Sequence, residues 1–361
     1  MQRSQSHNRI FGLDLLRAFA IISLLATHGG FLVTDTFLDQ FPYLIFLDGV
    51  DLFFILSGFL IGNILLREIS QDTEFTVFKL VNFWKRRWFR TLPSYYLVLL
   101  LNYLFIKLNY IIGNTDSFSW KCLFFIHNFS SMFEGPFMES WSLSVEEWFY
   151  IIAPIILYLF LKKLKRKTAF IATLLILILV SIIARFLKSD PLADDSYALS
   201  QIRMVVITRL DAIAYGLFAA WVSFYYQDFW NKYKIHAFVI CLALYFFIRH
   251  FHGNYIWSQI VGASFVPLSY MFILPLASSI KTGKGFIAKG ITHISKISYS
   301  MYLINMGLVA SVIQLHFPVK NKTDGIIKYF IYYAVIILVS TVLYKFYEKP
   351  IMDLRDKKIK K

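Results

Sequence analysis

Three ionisable side chains interrupt the first apolar run of the chain: Asp14 and Arg17 in Leu13-Asp14-Leu15-Leu16-Arg17, and His28 after Thr27. On a helix turning about 100° per residue, the eleven steps from Arg17 to His28 come back to within roughly 20° of one direction. Asp14 falls one turn below Arg17, so all three share a stripe, with Arg17 and His28 about 16 Å apart along the axis. A charge at the centre of a bilayer costs at least ~2.5–3.5 kcal/mol on insertion scales, so such groups are expected to face an interior or a cavity. Asp14 and Arg17 can pair near the interface, which is the plain reading of both. His28 titrates near neutrality; it is either a polar contact between helices or a general base for a hydroxyl within reach.

Further polar groups enter later apolar runs. Asp51 opens Gly49-Val50-Asp51-Leu52-Phe53-Phe54, followed by Ser57-Gly58, whose small side chains suit close helix packing. In Lys85-Arg86-Arg87-Trp88-Phe89-Arg90, Arg87 and Arg90 are one helical turn apart. They either anchor the chain at the membrane surface or present paired guanidiniums to a phosphate. Glu146 and Glu147 stand side by side in Trp141-Ser142-Leu143-Ser144-Val145-Glu146-Glu147 and cannot both face lipid. Ser144 and Glu147 also fit a capping box, a structural use of one carboxylate. Arg209 and Asp211 are close enough in sequence to pair with each other. His250 and His252 have a spacing that does not put both rings on one helix face, so no metal is expected there.

The elements that carry these residues follow from composition. The chain has 361 residues, 58 % apolar, 19 % aromatic and 16 % charged, with a net charge of +15 and a mean hydropathy of +0.58. Soluble domains are about 45–50 % apolar and about 25 % charged, so this is an all-α polytopic membrane protein. Ten runs are long enough to cross: 11–32, 49–66, 92–112, 142–161, 168–187, 205–226, 235–251, 259–279, 296–315 and 326–346. With the N-terminus inside, the inner segments hold 25 basic residues and the outer segments five, so both termini are expected in the cytoplasm. The basic excess is thereby assigned to membrane lipids, with no nucleic acid implied. Cys122 and Cys241 offer neither a disulfide framework nor a zinc spacing. No cleavable leader is expected, because the first run ends in His28-Gly29-Gly30.

In this order the residues closely resemble acyltransferase family 3, the multi-pass membrane O-acyltransferases. The resemblance runs through Leu13-Asp14-Leu15-Leu16-Arg17 with His28, the Gly49–Ile61 segment, Arg87-x-x-Arg90 with Pro93, and the Trp141–Tyr150 segment. It continues through Arg209-Leu210-Asp211 with Gly216, then Ser298-Tyr299-Ser300-x-Tyr302-Leu303 and Glu348-Lys349-Pro350. It implies a membrane acyltransferase domain over 11–350, followed by a basic cytoplasmic tail over 351–361. It further implies transfer of an acyl group, usually acetyl, from cytoplasmic acyl-coenzyme A to a hydroxyl of a cell-envelope glycan at the plasma membrane. The family's essential Arg and His fall on Arg17 and His28, and its donor-associated arginines on Arg87 and Arg90.

On this layout the phosphates of coenzyme A would meet Arg86, Arg87 and Arg90, with Arg17 deeper in the bundle. His28 would serve as general base or covalent acyl relay, near Asp51 and Glu146 or Glu147. Asn305 stands where the family often has His, and an amide cannot take up a proton. The competing reading is a transporter or flippase of an envelope precursor that uses the same charges, although no repeated halves are visible.

Overall fold

The computed structural model describes residues 9–39, 48–70, 75–133, 135, 137–190, 195–250 and 256–359. Among these there are helices and turns and no strand. The long elements are α1 (Phe11–His28), α2 (Gly49–Ser70), α3 (Val77–Lys107), α4 (Ser140–Leu161), α5 (Arg166–Lys188), α6 (Leu210–Tyr225), α7 (Lys234–His250), α8 (Gly262–Met271), α9 (Gly285–Ile304) and α10 (Lys322–Leu343). Among the described residues eight stretches are long and apolar enough to cross a membrane, against the ten expected; the runs at 205–226 and 235–251 form the shorter apolar helices Leu210–Tyr225 and Lys234–Ile248. The chain is a multi-pass membrane protein.

Four of the expected runs differ in the fold. α3 starts well before the apolar run at 92, so Lys85–Arg90 lie on the same continuous helix as the span that follows. The run at 259–279 is broken into a π-turn over Ile256–Val261, α8 and a short helix over Leu274–Ser279, with Pro267 and Pro275 in the sequence. α9 and α10 each widen into a π-turn, at Asn305–Ala310 and Tyr344–Glu348, before continuing as Ser311–His316 and Lys349–Ile359.

Small residues set the middle of the bundle. Gly58 and Gly62 on α2 form a Gly-x-x-x-Gly stripe that packs on α6, Gly58 against Gly216 and Gly62 against Ala220. A Cβ at Gly58 would lie 2.0 Å from the Ile213 carbonyl oxygen, and one at Gly216 2.2 Å from that of Ile55. Two backbones this close gain dispersion and leave no room for any side chain. Gly12 does the same for α1, where a Cβ would fall 1.9 Å from the Ala277 carbonyl oxygen. Gly49 seats α2 on α1, where a Cβ would fall 2.4 Å from the Ala20 carbonyl oxygen, so α2 is held between α1 and α6, and residues of α3, α4 and α9 close around the site. Apolar side chains such as Leu179, Phe186 and Leu338 stay exposed on the outer surface, where lipid covers them.

Candidate active site

The helices alternate in direction, so the bundle has a basic end, where α1 begins and Arg86, Arg87 and Arg90 lie, and a far end, where α1 stops at His28. A cavity of about 100 Å³ opens between α1, α2, α3, α4 and α9. Arg17, Arg87 and Arg90 contribute three guanidiniums to its wall, and Ser57, Glu146, Tyr299 and Tyr302 the other expected site residues. Residues from five helices and nearly 300 positions of sequence thus converge on one space.

Several wall residues are held by specific partners. Glu146 accepts hydrogen bonds from Ser57 Oγ at 2.9 Å and from Tyr150 Oη at 2.6 Å. The Arg87 guanidinium lies 4.3 Å from the Tyr150 ring centroid, a cation–π contact that orients it without neutralising it. Its Nε is buried without a partner. Among the described residues neither Arg87 nor Arg90 has a carboxylate within 4 Å. Tyr299 Oη donates to the Thr91 carbonyl at 2.8 Å and so ties α9 to α3 beside the arginines. Tyr302 Oη bonds Ser142 Oγ at 2.5 Å and donates to the Glu139 carbonyl at 2.9 Å.

Arg17 reaches the cavity because a second arginine occupies Asp14. Arg9 makes a two-pronged contact with the Asp14 carboxylate, 2.8 Å from Nε and 2.6 Å from Nη2, and Ser295 Oγ donates to it at 2.8 Å. Arg17 Nη1 is left with a longer contact of 3.4 Å to Asp14. The expected Asp14–Arg17 pair therefore exists, but Arg9 is the stronger partner, since short bidentate contacts are the strong ones.

His28 does not line the cavity. It stands at the far end, with Nδ1 2.6 Å from Asn305 Oδ1. The Asn305 amide nitrogen donates to the Tyr302 carbonyl at 2.5 Å, so its oxygen is the atom that faces the ring. An amide oxygen only accepts, so Nδ1 carries a proton, and in the neutral ring Nε2 is the nitrogen with the lone pair. The residue that orients the imidazole is an amide on α9 and not a carboxylate.

The remaining expected residues lie outside the cavity. Asp51 is buried at the far end and paired with Arg209, whose Nη1 also donates to the Ala263 carbonyl at 2.8 Å. Arg209 and Asp211 do not pair with each other as their spacing suggested. Asp211 instead takes Arg185 at 2.8 Å and Ser264 Oγ at 2.6 Å, all fully or nearly fully buried. Glu147 turns from the cavity toward α3, where Thr91 Oγ1 donates to it at 2.7 Å. Glu348 is buried in its π-turn and accepts from Ser300 Oγ at 2.8 Å. Arg86 is exposed on the outside of α3, and its carbonyl accepts from Arg355 Nη1 at 3.0 Å. His250 bonds the Phe246 carbonyl, and His252 lies outside the described residues.

Next to this ion network, Asp48 pairs with Arg203. Burial pushes the Asp48 carboxyl up, but the Arg203 guanidinium outweighs it and holds the group below the ordinary range. In the loop before α4, His127 Nε2 lies 3.0 Å from Ser140 Oγ, and burial pushes its pKa down to about 4. Sequence reasoning missed Arg9, Ser295 and Glu139. The last of these was readable only as a carboxylate just ahead of Trp141.

The profile of the acyltransferase family 3 domain, described simply as an acyltransferase domain, matches residues 10–345. The chain belongs to this family. It is similar to the O-acetyltransferase OatA of Staphylococcus aureus, with 25 % identity over 97 % of this chain and 58 % of that protein. It is also similar to YrhL of Bacillus subtilis, provisionally named a peptidoglycan O-acetyltransferase, with 30 % identity over 54 % of this chain and 31 % of that protein. The chain thus spans less than three fifths of the length of the OatA relative it matches end to end. No solved structure matches it.

Proposed function

We propose that the chain is a plasma-membrane O-acetyltransferase that takes an acetyl group from coenzyme A at the basic, cytoplasmic end and passes it to a hydroxyl of a cell-wall glycan at the far, outer end. The observation that carries this reading is the cavity whose wall holds three guanidiniums, of which Arg87 and Arg90 have no carboxylate partner within 4 Å among the described residues and Arg17 has only the longer contact to Asp14. A pantetheine-linked diphosphate is an anion that such a wall would attract, and fixed arginines suit phosphate oxygens. With a volume of about 100 Å³, the cavity has room for the thioester end and not for the nucleotide, which would stay at its mouth against Arg87 and Arg90.

In this reading the acceptor oxygen attacks the thioester carbonyl, its proton goes to His28 Nε2, and the thiolate leaves and takes a proton as the acetyl ester forms. The Nδ1–H tautomer fixed by Asn305 leaves Nε2 as the basic atom. A relay through an acetylated His28 uses the same nitrogen as nucleophile. Arg17, about 16 Å from His28 along α1, extends the basic wall on the donor side, where it would meet the phosphates or pantetheine arm of coenzyme A. Glu146 holds Ser57 and Tyr150 in the wall, and Glu348 supports the helix that carries Tyr299 and Tyr302. Asp51 and Glu147 then serve the fold and not the chemistry.

Purified protein in lipid vesicles, given acetyl-coenzyme A labelled in the acetyl group, tests this. Wild type should release free coenzyme A and transfer label to glycan fragments, and His28→Ala should do neither while remaining inserted. Donor-independent movement of a glycan precursor, with no label transferred by either form, would replace this reading with transport.

A further inference from the structure

Glu139 immediately precedes α4 and is 2 % exposed, yet its carboxylate is bonded by backbone N–H groups and by no cation. Its Oε1 accepts the backbone N–H of Met306 at 2.9 Å and of Gly307 at 2.6 Å. Both lie in the π-turn Asn305–Ala310 that interrupts α9. Its own carbonyl accepts from Tyr302 Oη at 2.9 Å, one turn earlier on α9. A single residue therefore grips α9 at three points on either side of Asn305, and Asn305 is the residue that holds His28 Nδ1.

A π-turn holds one residue more than an α-turn and survives only where something favours the wider ladder; such turns are concentrated at functional sites. Burying a carboxylate is expensive unless its hydrogen bonds repay it. Here the repayment is two backbone donors of the widened turn. If the turn closed to an ordinary α-turn, the helix beyond it would rotate by about 100° relative to the part before it, and the turn carrying Asn305 would be re-aimed.

We infer that Glu139 is a positioning residue: its carboxylate holds the α9 π-turn open so that Asn305 Oδ1 stays on His28 Nδ1 and leaves Nε2 as the free acceptor. This deepens the proposed function, because it matters for catalysis only if His28 is the base. It adds a residue whose action passes through two others.

The test combines spectroscopy with kinetics on the full chain in nanodiscs, with ¹⁵N-histidine labelling and the His28 ring assigned by its loss in His28→Ala. Wild type should show the Nδ1–H pattern, with Nε2 unprotonated at neutral pH. Glu139→Ala should lose that pattern, as Asn305→Ala should, and its kcat should fall on the order of 10²-fold with the KM for acetyl-coenzyme A unchanged. Glu139→Gln keeps an acceptor oxygen for the two N–H groups and should restore both the pattern and most of kcat. It also serves as the folded reference if the alanine variant inserts poorly. An unchanged His28 signature in Glu139→Ala, or a lost signature in Glu139→Gln, overturns the inference. A lost signature with undiminished acetyl transfer would support the positioning role and instead refute His28 as base, so the two failures are told apart.

Discussion

At the far end of the bundle Arg185 and Arg209 are buried to 0 % and 2 % exposure, and each closes on an aspartate and a backbone carbonyl. Around the cavity Arg17, Arg87 and Arg90 share a wall with one carboxylate, and that carboxylate is occupied by Ser57 and Tyr150. The same residue type is thus used in two ways. Where every guanidinium has a fixed counter-ion, the charges cancel in place and stitch α2, α5, α6 and α8 together. Where guanidiniums outnumber their partners beside an open space, the surplus is a standing attraction for an anion. What marks a site in a membrane bundle is not the presence of charge but its failure to be neutralised internally.

The comparison breaks most visibly at Arg209. Arg209→Met leaves Asp51 buried and unpaired, which should cost about 3–5 kcal/mol. Thermal unfolding in detergent should show this as a large loss. Adding Asp51→Leu removes the stranded charge and should recover most of it. If Arg209→Met is as stable as wild type, the far-end network is not what holds those helices.

Arg87→Ala with Arg90→Ala is the opposite case. Neither arginine closes an ion pair, so unfolding should barely move. Losing a charge-assisted bond to a phosphate, at about 1.5–3 kcal/mol, should raise the KM for acetyl-coenzyme A some ten- to hundredfold. A double variant that is unstable yet keeps its donor affinity would reverse the roles assigned to the two regions.

His127 adds a neutral counterpart to the far-end charges. Its pKa falls from an unfolded value of about 6.5 to about 4 because burial disfavours the imidazolium. Between those values the unfolded chain binds the extra proton, so stability is full above about pH 6.5 and declines as pH falls toward 4. At pH 5.5 the loss should be about 1 kcal/mol. His127→Gln keeps a partner for Ser140 Oγ without titrating and should flatten that slope. A slope of equal size in both forms would assign it to other groups.

The eight long apolar helices could be read directly, because runs of about 20 apolar residues have few other uses. The helical stripe placed Arg17 toward the interior, and the one-turn spacing of Arg87 and Arg90 put both on the cavity wall. Partners distant in sequence could not be read. Nothing local to Asp51 reveals Arg209, 158 positions away, and the nearer Asp211 was a decoy because ion pairs depend on helix contacts and not on spacing. The two π-turns of α9 and α10 were invisible for another reason: an apolar stripe is blind to one inserted residue when both flanks are apolar. Asn305 consequently looked like a lost acid–base group, whereas its amide sets the His28 tautomer. Glu139 was missed because its ligands are backbone N–H groups, which leave no trace in side-chain composition.

Arg86 gives the smallest predicted effect and the finest test of the comparison. By sequence it belongs with Arg87 and Arg90, and by net charge it contributes equally to the basic end. In the fold it is not part of the cavity wall that holds Arg87 and Arg90, and its carbonyl accepts from Arg355, a contact that survives any side-chain change. If an anion is drawn by the general positive potential of that end, then removing any one arginine should weaken it alike, and added salt should weaken it further. If it is held by fixed guanidiniums at the wall, Arg86→Ala should change the donor KM less than about twofold, within the range of a screened surface charge. Steady-state kinetics of Arg86→Ala beside Arg90→Ala, at low and at physiological salt, separates the two. Equal losses would mean that the donor is held by surface potential and that the cavity wall does not bind it.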